Sequence, residues 1–342
     1  MLKRVLVPVL GFSLGFLLVH PSGAVGQTLD KAKKEGKVVI YGWGGDEAFQ
    51  RIVQAFTQRY PGIKVEGQDM RGQESREKII AEQGAKQVAA DLISGGENSI
   101  AELRQLDFLE KYESPQLKFS RKEILDPLGF RNPYRVNVYG ITINTSVVPA
   151  KEEPKKWADL LNPKFQGKIA AQDPRGSGGA LYILTALSRV YGMEFIRNLA
   201  KQKIFFGRRS AQLVTDLVRG EFGVVMTASW QDQVLQKALA SKAPVKFIKP
   251  EEGVMVIPIS MALVKNAPHP AAARLFIDWL LSEEGQKVAA EVHYTPARKG
   301  VRAKDPEADI EDAKLLPTED WTTKPELVAE MTKHWEEIFF KK

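Results

Sequence analysis

Lys37-Val38-Val39-Ile40-Tyr41-Gly42-Trp43-Gly44-Gly45-Asp46 is the stretch whose reading decides the fold. Its first half is a compact apolar run rich in β-branched residues, the composition of a strand buried on both faces. A glycine-rich turn follows, and Asp46 is a side chain able to cap the first N–H groups of a helix. That helix is predicted to run to Tyr60, with Ala48, Ile52, Val53, Ala55 and Phe56 on its apolar face, and Pro61-Gly62 stops it. The next strand is Ile63-Lys64-Val65-Glu66-Gly67. A helix over 74–83 then leads to Ala89-Ala90-Asp91-Leu92-Ile93 and the turn Ser94-Gly95-Gly96. Strands alternating with helices through short glycine turns define an α/β fold with mostly parallel sheets.

The alternation returns in the second half. Gly167-Lys168-Ile169-Ala170-Ala171 reads as a strand, residues 173–179 as a glycine-rich loop and 180–191 as a helix. Residues 214–219, the turn Gly220-Glu221 and Phe222-Gly223-Val224-Val225-Met226 read as helix, turn and buried strand, with a new helix near Ser229. Residues 268–285 are expected to form one strongly amphipathic helix presenting Leu275, Phe276, Trp279 and Leu280. Residues 305–320 read as a polar, acidic tail, followed by an amphipathic helix over 325–340. No short-period repeat is present, which excludes a solenoid.

The N-terminus carries an address. Lys3 and Arg4 precede an apolar run over 5–19, and Gly23, Ala24 and Gly26 end it in small residues. A basic, an apolar and a small-residue region in that order predict an export signal over 1–26. The chain has 342 residues and no cysteine, so neither lipid attachment at the cleavage site nor a disulfide is available. What remains after cleavage is long enough for two cores, and a soluble, unlipidated periplasmic protein is the expectation. The formal net charge of +7 comes from Lys and Arg interleaved with Asp and Glu. Without a basic block or an aromatic-basic repeat, nucleic acid is not an expected partner.

Several segments, taken in order, carry a resemblance. They are the strand and glycine turn at 37–46, Ala90-Asp91-Leu92-Ile93, Tyr139-Gly140-Ile141-Thr142-Ile143-Asn144-Thr145, and the block Trp157-Ala158-Asp159-Leu160-Leu161-Asn162-Pro163-Lys164-Phe165-Gln166-Gly167-Lys168-Ile169. Arg219-Gly220-Glu221 and the run from Ala271 through Trp279 to Gln286 complete the set. Together they resemble the extracellular solute-binding proteins of bacterial ABC importers, in the branch of ferric-iron, polyamine, phosphonate and sugar-phosphate binders. The resemblance implies a two-lobe periplasmic-binding-protein fold, each lobe a mostly parallel sheet flanked by helices, with ligand held between lobes and closure by hinge bending. It places lobe one at 28–138 plus 262–304 and lobe two at 139–261 plus 305–342, with hinge strands at 139–144 and 255–263. The implied partners are a small-molecule ligand and an inner-membrane ABC permease; a monomer without a cofactor is expected.

Ligands on open α/β sheets sit beyond the carboxyl ends of strands, where helix N-termini favour anions. The expected ligand-binding residues are therefore Trp43, Gly44 and Gly45 in the first turn, Ser94 and Gly95 in the second, and Arg175, Ser177 and Gly178 in the third. Arg209, Ser210, Ser229 and Trp230 come from later strand-to-helix junctions. Arg175 is favoured, because a guanidinium grips carboxylate or phosphate with two parallel bonds. Arg71, Asn137, Tyr139 and Arg208 are weaker candidates. Iron binders of this branch carry adjacent tyrosines where this chain has Met226-Thr227-Ala228-Ser229-Trp230, and hard ferric iron wants converging phenolate or carboxylate oxygens. A small organic or phosphorylated anion is the expected cargo. Iron transport without the tyrosine pair, a sensory receptor, and a periplasmic enzyme on the same fold stand as alternatives. No catalytic constellation or metal-ligand spacing appears: His269, His293 and His334 are isolated, and no G-x-S-x-G is present.

Overall fold

The computed structural model describes residues 22–70, 72–176, 179–232, 237, 239–318 and 325–341. Most of the expected export signal therefore lies outside the described residues. In chain order the first half forms α1 (Ser22–Glu35), β1 (Lys37–Tyr41), α2 (Glu47–Arg59), β2 (Lys64–Gln68), α3 (Gly72–Ala85), β3 (Leu92–Gly95), α4 (Glu97–Gln105), β4 (Leu109–Glu110), β5 (Asn132–Tyr139) and β6 (Ile141–Asn144). The second half forms β7 (Ile169–Gln172), α5 (Gly179–Ala200), β8 (Phe205–Gly207), α6 (Ser210–Val218), β9 (Val224–Val225), β10 (Val245–Ile248) and β11 (Met255–Val264). It ends with α7 (Pro270–Leu280), α8 (Glu283–Glu291), β12 (Thr295–Pro296) and α9 (Pro325–Phe339).

Two sheets result, one per lobe. The first has the order β12-β5-β11-β3-β1-β2 with β4 also on β11; the second runs β10-β6-β9-β7-β8. Strands joined through helices, β2-β1-β3 and β8-β7-β9, pair in parallel. The strands that carry the chain between lobes pair antiparallel, β5 with β11 and β6 with both β9 and β10. The sheets are thus mixed rather than mostly parallel, because a crossing strand has no helix beside it to bring its neighbour back in the same direction.

Both faces of the first sheet are covered, which is why β1 and β11 read as nearly continuous apolar runs. In lobe one, Val38 and Ile40 pack with Phe56, Phe276 and Trp279, while Val39 and Tyr41 meet Ile79, Ile93 and Leu103 on the other face. Phe56 stands edge-on to Phe276 at 4.9 Å and to Trp279 at 5.4 Å, the T-shaped arrangement aromatic quadrupoles favour. In lobe two, Trp157, Ile169, Leu184 and Ile196 share a core with Leu327, Met331 and Trp335 of α9.

Three segments depart from expectation. Residues 268–285 hold two helices, because Ser282 Oγ donates to the Trp279 carbonyl at 2.6 Å and accepts from Gly285 N–H at 3.2 Å, closing α7 and capping α8. The helix expected over 180–191 continues to Ala200 beyond a break at Gly192, whose φ of 80° lies where glycine is favoured. The acidic stretch 305–318 is an ordered strap: Ala308, Ile310 and Leu316 are buried, and Leu316 N–H reaches the Val254 carbonyl at 2.8 Å. Isolated apolar residues among acids give little periodic signal, yet Leu316 joins the core beneath α9, and Ala308 and Ile310 join a cluster with Val136, Val138 and Ala170. No described helix is long and apolar enough to cross a membrane.

The chain passes from β5 to β6 at Gly140. A Cβ there would lie 2.4 Å from the Ile248 carbonyl oxygen, so only glycine lets β10 approach the crossing. The C-terminal helix is integral to lobe two, since Trp335 is fully buried. Trp335→Ala is expected to destabilise lobe two by about 3–5 kcal/mol in urea unfolding followed by circular dichroism. A change below about 1 kcal/mol would show that α9 contributes little to the fold.

Candidate functional site

A cavity of about 870 Å³ opens between the β1–α2 turn of lobe one and the Trp230–Gln231 turn of lobe two. Asp46, Arg51, Arg135, Trp230, Tyr294 and Asp305 are among its lining residues.

Its most distinctive group comes from β5. Along Asn132-Pro133-Tyr134-Arg135-Val136-Asn137-Val138-Tyr139, the valines are fully buried while Arg135, Asn137 and Tyr139 are half-buried. Period-two alternation sets these three polar side chains on one face of the strand. A bulge helps: Ile259 faces Arg135 and Ser260 faces Pro133, which leaves Tyr134 without an opposite residue. An extra residue of this kind re-aims side chains locally. Here the Tyr134 ring stacks on Trp43 at 5.1 Å, while the Arg135 guanidinium lies 4.5 Å from the Tyr294 ring centroid and 5.8 Å from that of Tyr134.

Arg135 Nη1 donates to Asn137 Oδ1 at 2.5 Å, and its buried Nε has no partner. No described carboxylate forms an ion pair with it. The guanidinium is held against aromatic faces with N–H capacity left for a further acceptor. The nearby acids are engaged elsewhere. Asp46 Oδ1 accepts from Phe49 N–H at 2.6 Å as the cap of α2, and Asp305 accepts from Trp230 Nε1 at 3.1 Å and from His293 Nδ1 at 2.9 Å. Burial pushes the phenols of Tyr139 and Tyr294 above their ordinary range, against the opposing charge of Arg135, so both stay neutral donors near neutral pH.

The structure gathers some of the expected site residues around Arg135 and disperses others. Trp43 is buried in an aromatic cluster with Phe49 and Tyr134, and its Nε1 donates to Tyr294 Oη at 3.2 Å. It stands behind the cavity wall. Gly44 is pressed against β2, where a Cβ would meet the Gly67 carbonyl carbon at 2.6 Å; Gly45 is exposed at the turn. Ser94 is buried, its Oγ 3.1 Å from Tyr134 Oη, and Gly95 follows it at the end of β3. Ser229 pairs across to Tyr139, and Trp230 lines the cavity.

Arg175 is directed elsewhere. It forms a paired contact with Asp173, Nη2 to Oδ2 at 2.6 Å, and its guanidinium lies 3.9 Å from the Phe340 ring centroid. That pairing holds the Asp173 carboxyl below the usual carboxylate range. Arg209 is exposed at the start of α6 beside Arg208, and Ser210 Oγ is buried there without a partner. None of these three lines the cavity. Arg71, Ser177 and Gly178 lie outside the described residues.

Arg135 and Tyr294 were not among the residues expected from sequence. For Arg135 a signal existed: Arg-x-Asn-x-Tyr inside a strand whose alternate residues are valine. Glycine turns point to loops, whereas Arg135 sits on a strand. For Tyr294 no local signal exists.

Two mixed sheets, a chain crossing between them and a cavity at the crossing define a two-lobe binding protein. The sequence model for the bacterial extracellular solute-binding proteins matches residues 88–322, and the chain belongs to that family, the substrate-binding components of ABC importers. An uncharacterized protein of Haemophilus influenzae is 25% identical over 270 residues, covering 75% of this chain and 76% of that protein. Iron-bound HitA of Pseudomonas aeruginosa superimposes with a TM-score of 0.70 at 20% identity, over 87% of this chain and 98% of HitA. AfuA of Actinobacillus pleuropneumoniae, with fructose-6-phosphate bound, gives 0.69 at 22% identity, over 89% of this chain and 98% of AfuA. The fold is therefore shared by proteins holding different cargoes, and the side chains of the cavity must discriminate.

The buried phenols carry a pH signature. A phenol whose folded pKa is raised stabilises the fold fully below the ordinary value of about 10, and that contribution is lost as pH rises toward the folded value. Absorbance at 295 nm is expected to show that Tyr139 and Tyr294 do not ionise near pH 10 but only as the protein unfolds in alkali. Tyr139→Phe and Tyr294→Phe should each shrink that late step; a late step unchanged in both variants would contradict the assignment.

Proposed function

We propose that this protein captures a small organic or phosphorylated anion between its lobes, outside the cytoplasm, and hands it to an ABC permease. The observation that carries the reading is Arg135: a guanidinium within the interlobe cavity, with a buried Nε lacking a partner and no described carboxylate paired to it. An incoming carboxylate, phosphate or phosphonate supplies the missing acceptor, and a charge-assisted bond in a partly desolvated cavity is of the strong kind. Asn137 orients the guanidinium from two residues along the strand. Tyr139 and Tyr294 add neutral hydroxyl donors to the same region.

The same chemistry disfavours ferric iron. A fixed positive charge repels the cation, and phenols raised by burial yield phenolate ligands less readily. AfuA supports the anion reading as far as fold allows, since that fold accommodates a sugar phosphate. The export signal expected over 1–26 and the cysteine-free sequence support a freely diffusing, unlipidated periplasmic carrier. The likeness to importer components favours handover to a permease over presentation to a sensor.

Thermal unfolding in the presence of phosphonates, sugar phosphates, organic acids and ferric iron tests the reading, because a ligand that binds the native state raises Tm with concentration. At least one anion is expected to stabilise the protein. Arg135→Gln should weaken that anion by about 10- to 100-fold, the worth of a hydrogen bond to a charged group, whereas Arg175→Gln should leave its affinity within about twofold. Stabilisation by ferric iron alone would overturn the anion assignment, and unchanged affinity in Arg135→Gln would overturn the site.

A further inference from the structure

The turn that follows β9 leaves lobe two and attaches to the crossing strand. Up to Thr227 the chain belongs to the second sheet, where Thr227 Oγ1 accepts from Gln172 N–H at 2.8 Å. Two residues later Ser229 is paired across from Tyr139, and Trp230 N–H donates to the Val138 carbonyl at 2.8 Å. Strand β12 pairs with β5 only at Arg135 and Val136, so Val138 lies beyond the end of that partner. Its N–H is satisfied by the Gln231 side chain, Oε1 at 2.7 Å. A buried strand N–H left without an acceptor is costly, so this side chain takes the place of a missing strand.

The Gln231 amide continues the chain of bonds. Its Nε2 donates to Thr295 Oγ1 at 2.7 Å, and Thr295 Oγ1 donates to the Ala308 carbonyl at 3.1 Å. Every direction in this relay is set by its two ends. Val138 N–H can only donate and the Ala308 carbonyl can only accept, so the amide oxygen must face β5 and the Thr295 hydrogen must face Ala308. Four separate segments meet in one line: the crossing strand, the lobe-two turn, β12 and the C-terminal strap. Trp230 reinforces the line by donating Nε1 to Asp305 of the same strap.

We propose that Gln231 is the positioning residue that holds the Ser229–Trp230 turn, with its cavity-lining Trp230, on the crossing strand, so that Arg135, Asn137, Tyr139, Ser229 and Trp230 move as one platform. Hinge bending then occurs beyond the turn, between Trp230 and the rest of lobe two on one side and at Gly140 on the other. Binding gains because the groups facing the ligand are ordered before it arrives. The inference concerns motion of the lobes and holds whichever solute the cavity takes.

The natural chain has no cysteine, so two can be introduced as specific spin-label sites. Exposed Gln54 on α2 and exposed Ala211 on α6 report the distance between lobes when both are replaced by cysteine. Electron–electron double resonance on the ligand-free labelled protein is expected to give one narrow distance distribution. Gln231→Glu keeps an acceptor for Val138 N–H but cannot donate to Thr295. It should broaden the distribution and move it to longer distance while Tm changes little. Thr295→Ser keeps the hydroxyl and should retain the narrow distribution; Thr295→Val should reproduce the broadening, and the double variant should add nothing further. A Gln231→Glu distribution that superimposes on the parent, or effects of the two substitutions that add, would overturn the proposal. If Gln231→Glu does not fold, the Thr295→Ser and Thr295→Val pair decides alone: equal distributions overturn it.

Discussion

Seven antiparallel residue pairs join β5 to β11, from Met255 opposite Tyr139 to Met261 opposite Asn132. Almost every other feature is positioned by that ladder. Through β3 it anchors the parallel half of the first sheet, and through β5 it delivers the chain to Gly140 and the second lobe. The bulge at Tyr134 is the single irregularity in the ladder, and it falls where the cavity begins.

Chemistry and mechanics therefore share the same residues. The strand whose face carries Arg135, Asn137 and Tyr139 also offers, through the Val138 backbone, the edge on which the Ser229–Gln231 turn docks. A charged group in such a place is costly to bury, and its cost is offset by the Tyr294 ring at 4.5 Å and by Asn137. Spare hydrogen-bonding capacity at Nε is a defect in a core but an asset in a binding site, and the proposed anion would satisfy it.

Local elements were legible where one short-range rule sufficed. Asp46 caps α2 as its position after a glycine turn requires, and the Val38–Ile40 run is a strand buried on both faces. Legibility failed where two segments distant in sequence had to be brought together. Ser282 divides a continuous amphipathic pattern because its hydroxyl reaches back to Trp279, and apolar periodicity does not register a cap. Arg175 illustrates the opposite failure: an arginine in a glycine loop has the composition of an anion site, yet Asp173 two residues before it and Phe340 from the far end of the chain engage it first.

By itself the sequence determined the alternation of strands and helices, the two cores, and the family, because burial periodicity, capping and turn chemistry act over a few residues. Only the tertiary structure decided which polar groups face the cavity. Arg135 lies 159 residues from Tyr294 along the chain, and Gln231 is bonded to Val138 and Thr295 across separations of 93 and 64 residues. The choice between a paired and an unpaired guanidinium is made by neighbours supplied at such distances. Composition can count the arginines, but electrostatics and hydrogen bonding at a site depend on which partners the folded chain leaves within about 3 Å.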